Sequence, residues 1–227
     1  MVQDNIVQVS LLEAWTLLSM NSIVLDKAQI DLLERYHREL VHWNNSVNLV
    51  SRKDVDFLIE RHLIHSLMLL RYVEFPHKAR VLDLGTGGGL PGLPIKIARQ
   101  DLRVTLVDSI AKKIKIVDMM ARHTGLKDLD AVRMRVEEMG TISKYKSAFN
   151  VIVSRAVAPL KDLAHWSSGV RAPGAVLAVL KGGNLTDEIN EFKTAFPNVS
   201  VIEHDINVHG LPWFQQENKK VVECRFS

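Results

Sequence analysis

The sequence predicts an α/β protein: a mostly parallel, seven-stranded sheet with helices on both faces, preceded by an N-terminal helical extension. Three observations predict it. Val81-Leu82-Asp83-Leu84 reads as a buried strand that runs into Gly85-Thr86-Gly87-Gly88-Gly89-Leu90-Pro91-Gly92, a loop made mostly of glycine, and then into a helix. From Ala79 onward, short β-favouring runs alternate with helical patterns, the order that a parallel sheet with crossover helices requires. Before about residue 75, apolar positions recur at helical spacing. Residues 1–75 are therefore expected to form the extension and residues 76–227 the sheet domain.

In the extension, Ser10-Leu11-Leu12-Glu13 has the pattern of a capping box, with Leu11, Trp15 and Leu18 on one face beyond it. Asp26-Lys27-Ala28-Gln29 opens a second helix, with Leu25 and Ile30 placed as a hydrophobic staple. It should run to about Trp43, where Asn44-Asn45-Ser46 breaks it. Ser51-Arg52-Lys53-Asp54 starts a third helix that carries Leu58, Leu63 and Leu67 and ends before Pro76. These helices should pack on the sheet domain as a cap, with Trp15, Leu33 and Leu40 in its core. Arg61-His62-Leu63-Ile64-His65 puts a guanidinium and two imidazoles on one helix, with Arg61 and His65 four apart on a shared face. A wall of a substrate cleft suits them better than a metal site, because no third ligand stands nearby; no metal is expected.

In the sheet domain, the first strand is Arg80–Leu84, and Pro91 suits the first turn of the helix to Arg99. Arg103–Asp108 is the second strand, Ile110–Thr124 a helix stopped by Gly125, and Leu129–Arg135 the third strand. Phe149–Ser154 and Gly174–Lys181 follow as the fourth and fifth strands. Thr186–Ala195 is a helix capped by Thr186, with Glu188 in its first turn. Val199–Val208 and Val221–Phe226 close the sheet as a hairpin edge.

Two glycine patterns overlap in the loop. Gly87 to Gly92 satisfies G-x-G-x-x-G, the dinucleotide fingerprint, and Asp83 to Gly89 satisfies D-x-G-x-G-x-G, the signature loop of S-adenosylmethionine-dependent methyltransferases. The second fits better because it starts on the strand. The first begins late and puts Pro91 where a pyrophosphate wants backbone N–H groups. The fold expected is thus a Rossmann-like class I methyltransferase, with Asp83, Gly85 and Gly87 in the cofactor loop and S-adenosyl-L-methionine as cofactor. Asp108, at the tip of the second strand, can accept both ribose hydroxyls. A backbone amide and an acid at Val136-Glu137 can read the adenine edge, although Glu137 reads equally well as a surface charge.

The acceptor is constrained by what the fourth strand lacks. Val153-Ser154-Arg155-Ala156-Val157-Ala158-Pro159 contains no [DNS]-P-P-[YFW] element for orienting an exocyclic amine. Carbon-5 methylation of a pyrimidine needs a thiolate, and the one thiol, Cys224, lies on the last strand. An intrinsically nucleophilic acceptor such as guanine N7 remains, for which catalysis is in-line positioning without an acid–base dyad or a covalent enzyme intermediate.

The 227 residues, 47% hydrophobic, can bury a real core, and a formal charge of +3 permits a polyanionic partner without demanding one. One cysteine excludes internal disulfides. Neither a signal core nor an apolar run of membrane-spanning length is present, so a cytoplasmic protein is expected, with no membrane partner.

At Trp43-Asn44 with Asn48-Leu49, Arg61-His62, Leu84 to Pro94, Leu106-Val107-Asp108-Ser109, Arg135-Val136-Glu137-Glu138, Ser154-Arg155-Ala156 and Leu180-Lys181-Gly182, the chain resembles the bacterial small-subunit ribosomal RNA guanine-N7 methyltransferases, the glucose-inhibited division protein B family. The matching pieces span residues 25 to 185 in the expected order. The Gly-Leu-Pro-Gly-Leu-Pro continuation and Ser154-Arg155-Ala156 are its most specific elements. The resemblance implies S-adenosylmethionine contacts at Gly85, Leu90, Val136, Glu137 and Arg155. It also implies that a guanine in a loop of 16S ribosomal RNA, free or in the 30S particle, is the acceptor. One departure stands at His65, where the family usually has an aspartate; it bears on the wall of the third helix, not on the reaction.

Guanine N7 lies in the deep, narrow major groove of A-form RNA, so the target must sit in a loop or be unstacked into the site. Asn48, Arg52, Arg61, His62 and Lys181 are the candidate RNA contacts, with Lys53 and Lys161 as further cations near the cleft. Lys112, Lys113 and Lys115 form a second basic cluster. Arg155 and Asn48 are candidates for positioning the acceptor. Arg155 can serve the cofactor carboxylate or the RNA, and the sequence does not separate these. A monomer is expected. A methyltransferase for a small molecule or a protein, a non-catalytic ribosome-assembly factor and, least, a nicotinamide dehydrogenase stay open.

Overall fold

The computed structural model describes residues 9–226, except the side chains of Arg52 and Lys53. Helix α1 (Leu11–Met20) and helix α2 (Lys27–Asn44) begin at reciprocal capping boxes. Ser10 Oγ accepts from Glu13 N while the Glu13 carboxylate accepts from Ser10 N; Asp26 and Gln29 repeat the exchange. Each cap satisfies two N–H groups that the first helical turn leaves without partners. The third helical stretch is not the single helix expected. It is a 3-10 turn (Arg52–Phe57), a π-helical turn (Ile59–Ile64), then α3 (His65–Leu67) and α4 (Leu69–Tyr72). Periodicity finds a helix but does not distinguish its windings.

Among the described residues the sheet has seven strands, in the order β3-β2-β1-β4-β5-β7-β6. Strands β1 (Arg80–Leu84), β2 (Arg103–Asp108), β3 (Leu129–Arg133), β4 (Phe149–Arg155) and β5 (Arg171–Gly182) pair in parallel. Strand β7 (Lys219–Arg225) is antiparallel to both β5 and β6 (Ser200–Asp205). The last two strands do pair as a hairpin, but β7 inserts between β5 and β6 and only β6 is at the edge. The connecting helices are α5 (Gly92–Ala98), α6 (Ala111–Thr124), α7 (Val136–Met139), α8 (Leu160–Trp166), α9 (Thr186–Ala195) and α10 (Trp213–Gln216).

Several boundaries differ from the expectation for local reasons. Pro91 is the cap of α5 rather than its first residue. Gly125 ends α6 with φ +67°, the left-handed turn that glycine takes at no steric cost. Strand β3 stops at Arg133, and Val136 already belongs to α7. The cap of α9 is Leu185, not Thr186, and Asn184 Oδ1 accepts from Thr186 N. Helices α7, α8 and α10 have seven residues or fewer, too short for periodicity to detect.

Alternation along the strands feeds two cores. One face contributes Leu82, Leu84, Ile152, Leu177 and Val179 and is covered by α7, α8 and α9. The other contributes Val81, Val104, Leu106, Val151, Val153 and Ala178, and its core is continuous with Leu18 of α1, Leu33 and Leu40 of α2, and Leu63, Ile64 and Leu67 of the third stretch. Each of those leucines is at most 1% exposed, and burial of that kind is worth about 1.5–3 kcal/mol per side chain. Among the described residues, no helix is long and apolar enough to cross a membrane.

Candidate active site

The C-terminal ends of β1, β2, β4 and β5 open into a single cavity of about 800 Å³. The glycine loop forms its floor. Gly85 N and Thr86 N both donate to Val107 O at 2.9 Å, which ties the loop to β2. Gly85 (φ +73°), Gly87 (φ +56°) and Gly89 (φ +95°) have left-handed backbones. A Cβ at Gly85 would lie 2.5 Å from Val157 Cγ2, whereas one at Gly87 would meet nothing closer than Leu49 O at 3.7 Å. A Cβ at Gly85 would thus overlap a neighbour, while one at Gly87 would make only ordinary contact, and there the left-handed backbone is what favours glycine.

Two carboxylates hold the loop. Asp83 is fully buried beneath it and does not line the cavity. Its Oδ2 accepts from Thr86 Oγ1 at 2.6 Å and Gly92 N at 2.8 Å, while Oδ1 has no partner among the described residues. Burial pushes the Asp83 carboxyl up to about 7, against the opposing pull of those hydrogen bonds. Asp108 does line the cavity: Oδ2 accepts from Gly87 N at 3.1 Å and Oδ1 from Ile110 N at 2.9 Å. Each oxygen keeps a lone pair for a further donor. Behind the loop, Tyr36 of α2 donates to Gly88 O at 2.8 Å.

Gly85, Gly87, Leu90, Asp108, Val136 and Glu137 all lie on the cavity wall, so the structure brings these cofactor candidates together. Opposite them stand Asp54, Arg61, His62, His65 and Arg155. The π-helical turn carries Arg61 and His62, and His65 follows directly; such turns recur at functional sites. Arg155, at the end of β4, donates to His62 Nδ1 at 2.6 Å and to Arg61 O at 3.3 Å. Arg61 pairs with Asp54 at 3.2 Å. Burial, then the charge of Arg155, holds the His62 imidazole down at about 2 and that of His65 at about 3, so both rings are neutral. Among the described residues, no group of three or more metal-ligating side chains stands together.

The remaining RNA candidates are placed less simply. Asn48 is exposed and outside the cavity wall; it is Asn44 that is buried, its Oδ1 accepting from Leu49 N and Val50 N. The side chains of Arg52 and Lys53 lie outside those described. Lys181 lines the cavity, but its Nζ is held by Glu188 at 2.7 Å and Ala158 O at 2.8 Å. Lys161 pairs with Glu191 at 2.9 Å. Of the basic cluster on α6, Lys113 reaches the cavity. Sequence reasoning missed Tyr36, Trp213 and Lys219. The adjacent aromatics Trp213-Phe214, between the two last expected strands, were the available signal.

Residues 29–217 match a family described as GidB, rRNA small subunit methyltransferase G. The chain belongs to this family. It is 44% identical over 176 residues to the ribosomal RNA small subunit methyltransferase G of Chlorobium luteolum, covering 78% of this chain and 72% of that one. The protein of the same name from Chlorobium limicola is 36% identical, over 93% of this chain and 95% of that one. Among solved structures, an O-methyltransferase from Bacillus cereus in complex with SAH matches with a TM-score of 0.58 at 15% identity, over 94% of this chain and 96% of that one. A ribosomal protein L11 methylase from Lactobacillus delbrueckii matches with a TM-score of 0.53 at 14% identity, over 72% of this chain and 77% of that one. At such identities the likeness is one of fold, that of the class I methyltransferases. The rRNA small subunit methyltransferase G family uses S-adenosylmethionine, and the site fits it: bare backbone at Gly87 beside the carboxylate of Asp108, on the wall of a cavity large enough for it.

Proposed function

We propose that this protein transfers a methyl group from S-adenosylmethionine to N7 of a guanine in a loop of 16S ribosomal RNA, by in-line displacement without a covalent enzyme intermediate. The observation that carries this reading is that one cavity runs from the glycine loop to a polar, cationic wall built by the N-terminal extension and Arg155. The family match supplies the substrate class. The cofactor, when bound, supplies a methyl carbon made electrophilic by a sulfonium.

The chain's own residues then bind and orient. Asp108 would accept the ribose hydroxyls on its free lone pairs, and the backbone at Gly85 and Gly87 would lie against the adenosyl group. Leu90, Val136 and Glu137 would enclose the adenine. Arg155 would meet the cofactor carboxylate or an RNA phosphate. Guanine N7 has a free lone pair at neutral pH, so no proton need leave it and no general base is required. A thiolate route finds no support: Cys224 is buried on β7, does not line the cavity, and burial pushes its thiol up to about 12. Residues 1–75 would supply the acceptor wall and 76–227 the cofactor side. A cytoplasmic monomer acting on free RNA or the 30S particle completes the reading.

Mapping N7-methylated guanines in 16S RNA from cells with and without this protein tests it. One N7-methylguanine should disappear in the deletion and return with the wild-type chain. An identical map in both strains overturns the reading.

A further inference from the structure

We propose that Trp213 is the platform on which the target guanine stacks after leaving its RNA loop; this deepens, and rests on, the function proposed above. None of the family-like motifs includes this residue. The topology puts it on the right rim. Strand β7 runs antiparallel to β5 with Lys219 opposite Gly182, so β7 starts where β5 ends. Helix α10, just before β7, therefore sits over the same C-terminal rim as Arg155, which pairs with Leu180.

Trp213 lines the cavity and is half-buried, while its neighbour Phe214 is fully buried and anchors the short helix. His65 packs edge-on to both rings, at 5.9 Å from Trp213 and 5.5 Å from Phe214. The indole is thus held before any ligand arrives, so little ordering entropy remains to be lost on binding. Two cations lie over the ring itself, Arg61 at 5.4 Å and Lys219 at 4.8 Å from its centre, so an arriving base takes the place of one of them on the indole face while the charge stays beside its phosphate; Arg61 also stacks on Phe57 at 3.8 Å. Aromatic faces and guanidinium planes beside positive charge are the surfaces that take up an unstacked base and its phosphate.

The test uses the full chain, saturating S-adenosylmethionine, and 30S particles from cells lacking the protein. Trp213→Ala should raise KM for the particles about 5- to 150-fold, the range that base–aromatic stacking spans. Trp213→Phe, which keeps a ring, should restore most of that loss. S-adenosylhomocysteine affinity, measured by calorimetry, should be unchanged in both. Should Trp213→Ala melt early, Trp213→Leu fills the space without a π face and should show the same rise. The inference is overturned by an unchanged KM in the Ala or Leu variant, or by parallel losses of particle and cofactor affinity. Wild-type protein that methylates neither the particles nor free 16S RNA would overturn the proposed function as well, and so separates the two failures.

Discussion

Arg155 donates to Nδ1 of His62 across 2.6 Å, and because a guanidinium has no acceptor, this contact fixes the imidazole's tautomer. The ring proton must be on Nε2. Among the described residues that nitrogen has no hydrogen-bond partner, and the Asp54 carboxylate stands 4.0 Å away. The pair links β4 of the sheet to the π-helical turn of the extension.

His62→Ala removes the acceptor and leaves a buried charge without it. The loss should be about 1.5–3 kcal/mol in unfolding free energy, the worth of a hydrogen bond to a charged group. Activity on 30S particles should fall with it. His62→Asn, whose amide oxygen can approach the position of Nδ1, should lose less. Equal denaturant midpoints for the Ala variant and the wild type would show that the contact contributes nothing.

The glycine loop separates stability from affinity. Gly85→Ala places a Cβ 2.5 Å from Val157 Cγ2 on a left-handed backbone, so the chief result should be a lower melting temperature. Gly87→Val meets no overlap at its Cβ, whose nearest neighbour is Leu49 O at 3.7 Å, and should fold, apart from strain of about 1–3 kcal/mol, yet fail to bind S-adenosylhomocysteine in calorimetry. Wild-type affinity in Gly87→Val would mean that the cofactor does not lie against this loop.

Asp108 joins Gly87 N to Ile110 N as well as facing the cavity. Asp108→Ala should weaken cofactor binding by about 1–3 kcal/mol. Asp108→Asn, which keeps one acceptor oxygen, should fall between that variant and the wild type. The comparison is made by calorimetry at one ionic strength, and an Ala variant that binds like wild type would remove Asp108 from the site.

The glycine-loop side of the cavity was legible in the sequence because it is local. A strand, a glycine run and a strand-end acid are read within thirty residues of one another, and Gly85, Gly87, Leu90 and Asp108 all reach the cavity. The cationic side of the cavity is assembled from residues far apart in the chain, and there the reading was partial. Lys181 was legible as a cation but not as the partner of Glu188, because that contact is made between β5 and α9. Asn48 and Asn44 are alike as sequence, and only the fold shows that Asn44 turns inward to hold the backbone of Leu49 and Val50. Asp83 was legible as part of the loop motif but not as the buried brace it forms beneath the loop. The strands were found by composition; the insertion of β7 was not, because pairing order is decided by contacts that no local pattern records.

Acid and base should both lower stability, each through different groups. Unfolded, His62 and His65 take up protons below about 6.5; folded, they resist until about 2 and about 3, so their contribution is full above 6.5 and lost as the pH falls. Asp83 has the reverse sign: its folded value of about 7 lies above the ordinary 3.8, so its contribution is present below about 4 and lost as the pH rises through 7. Asp83→Asn cannot ionise. The wild type's stability relative to that variant should therefore decline from pH 4 to pH 8, as read from urea midpoints. A constant difference over this range would refute the assignment.

Tyr36 and Leu40 of α2 lie under the loop, one holding Gly88 O and the other 2.9 Å from where a Gly88 side chain would begin. Helix α2 therefore braces the glycine loop from beneath. A genetic selection for cells that have lost the modification would gather lesions at these codons, and they would mimic damage to the glycines themselves.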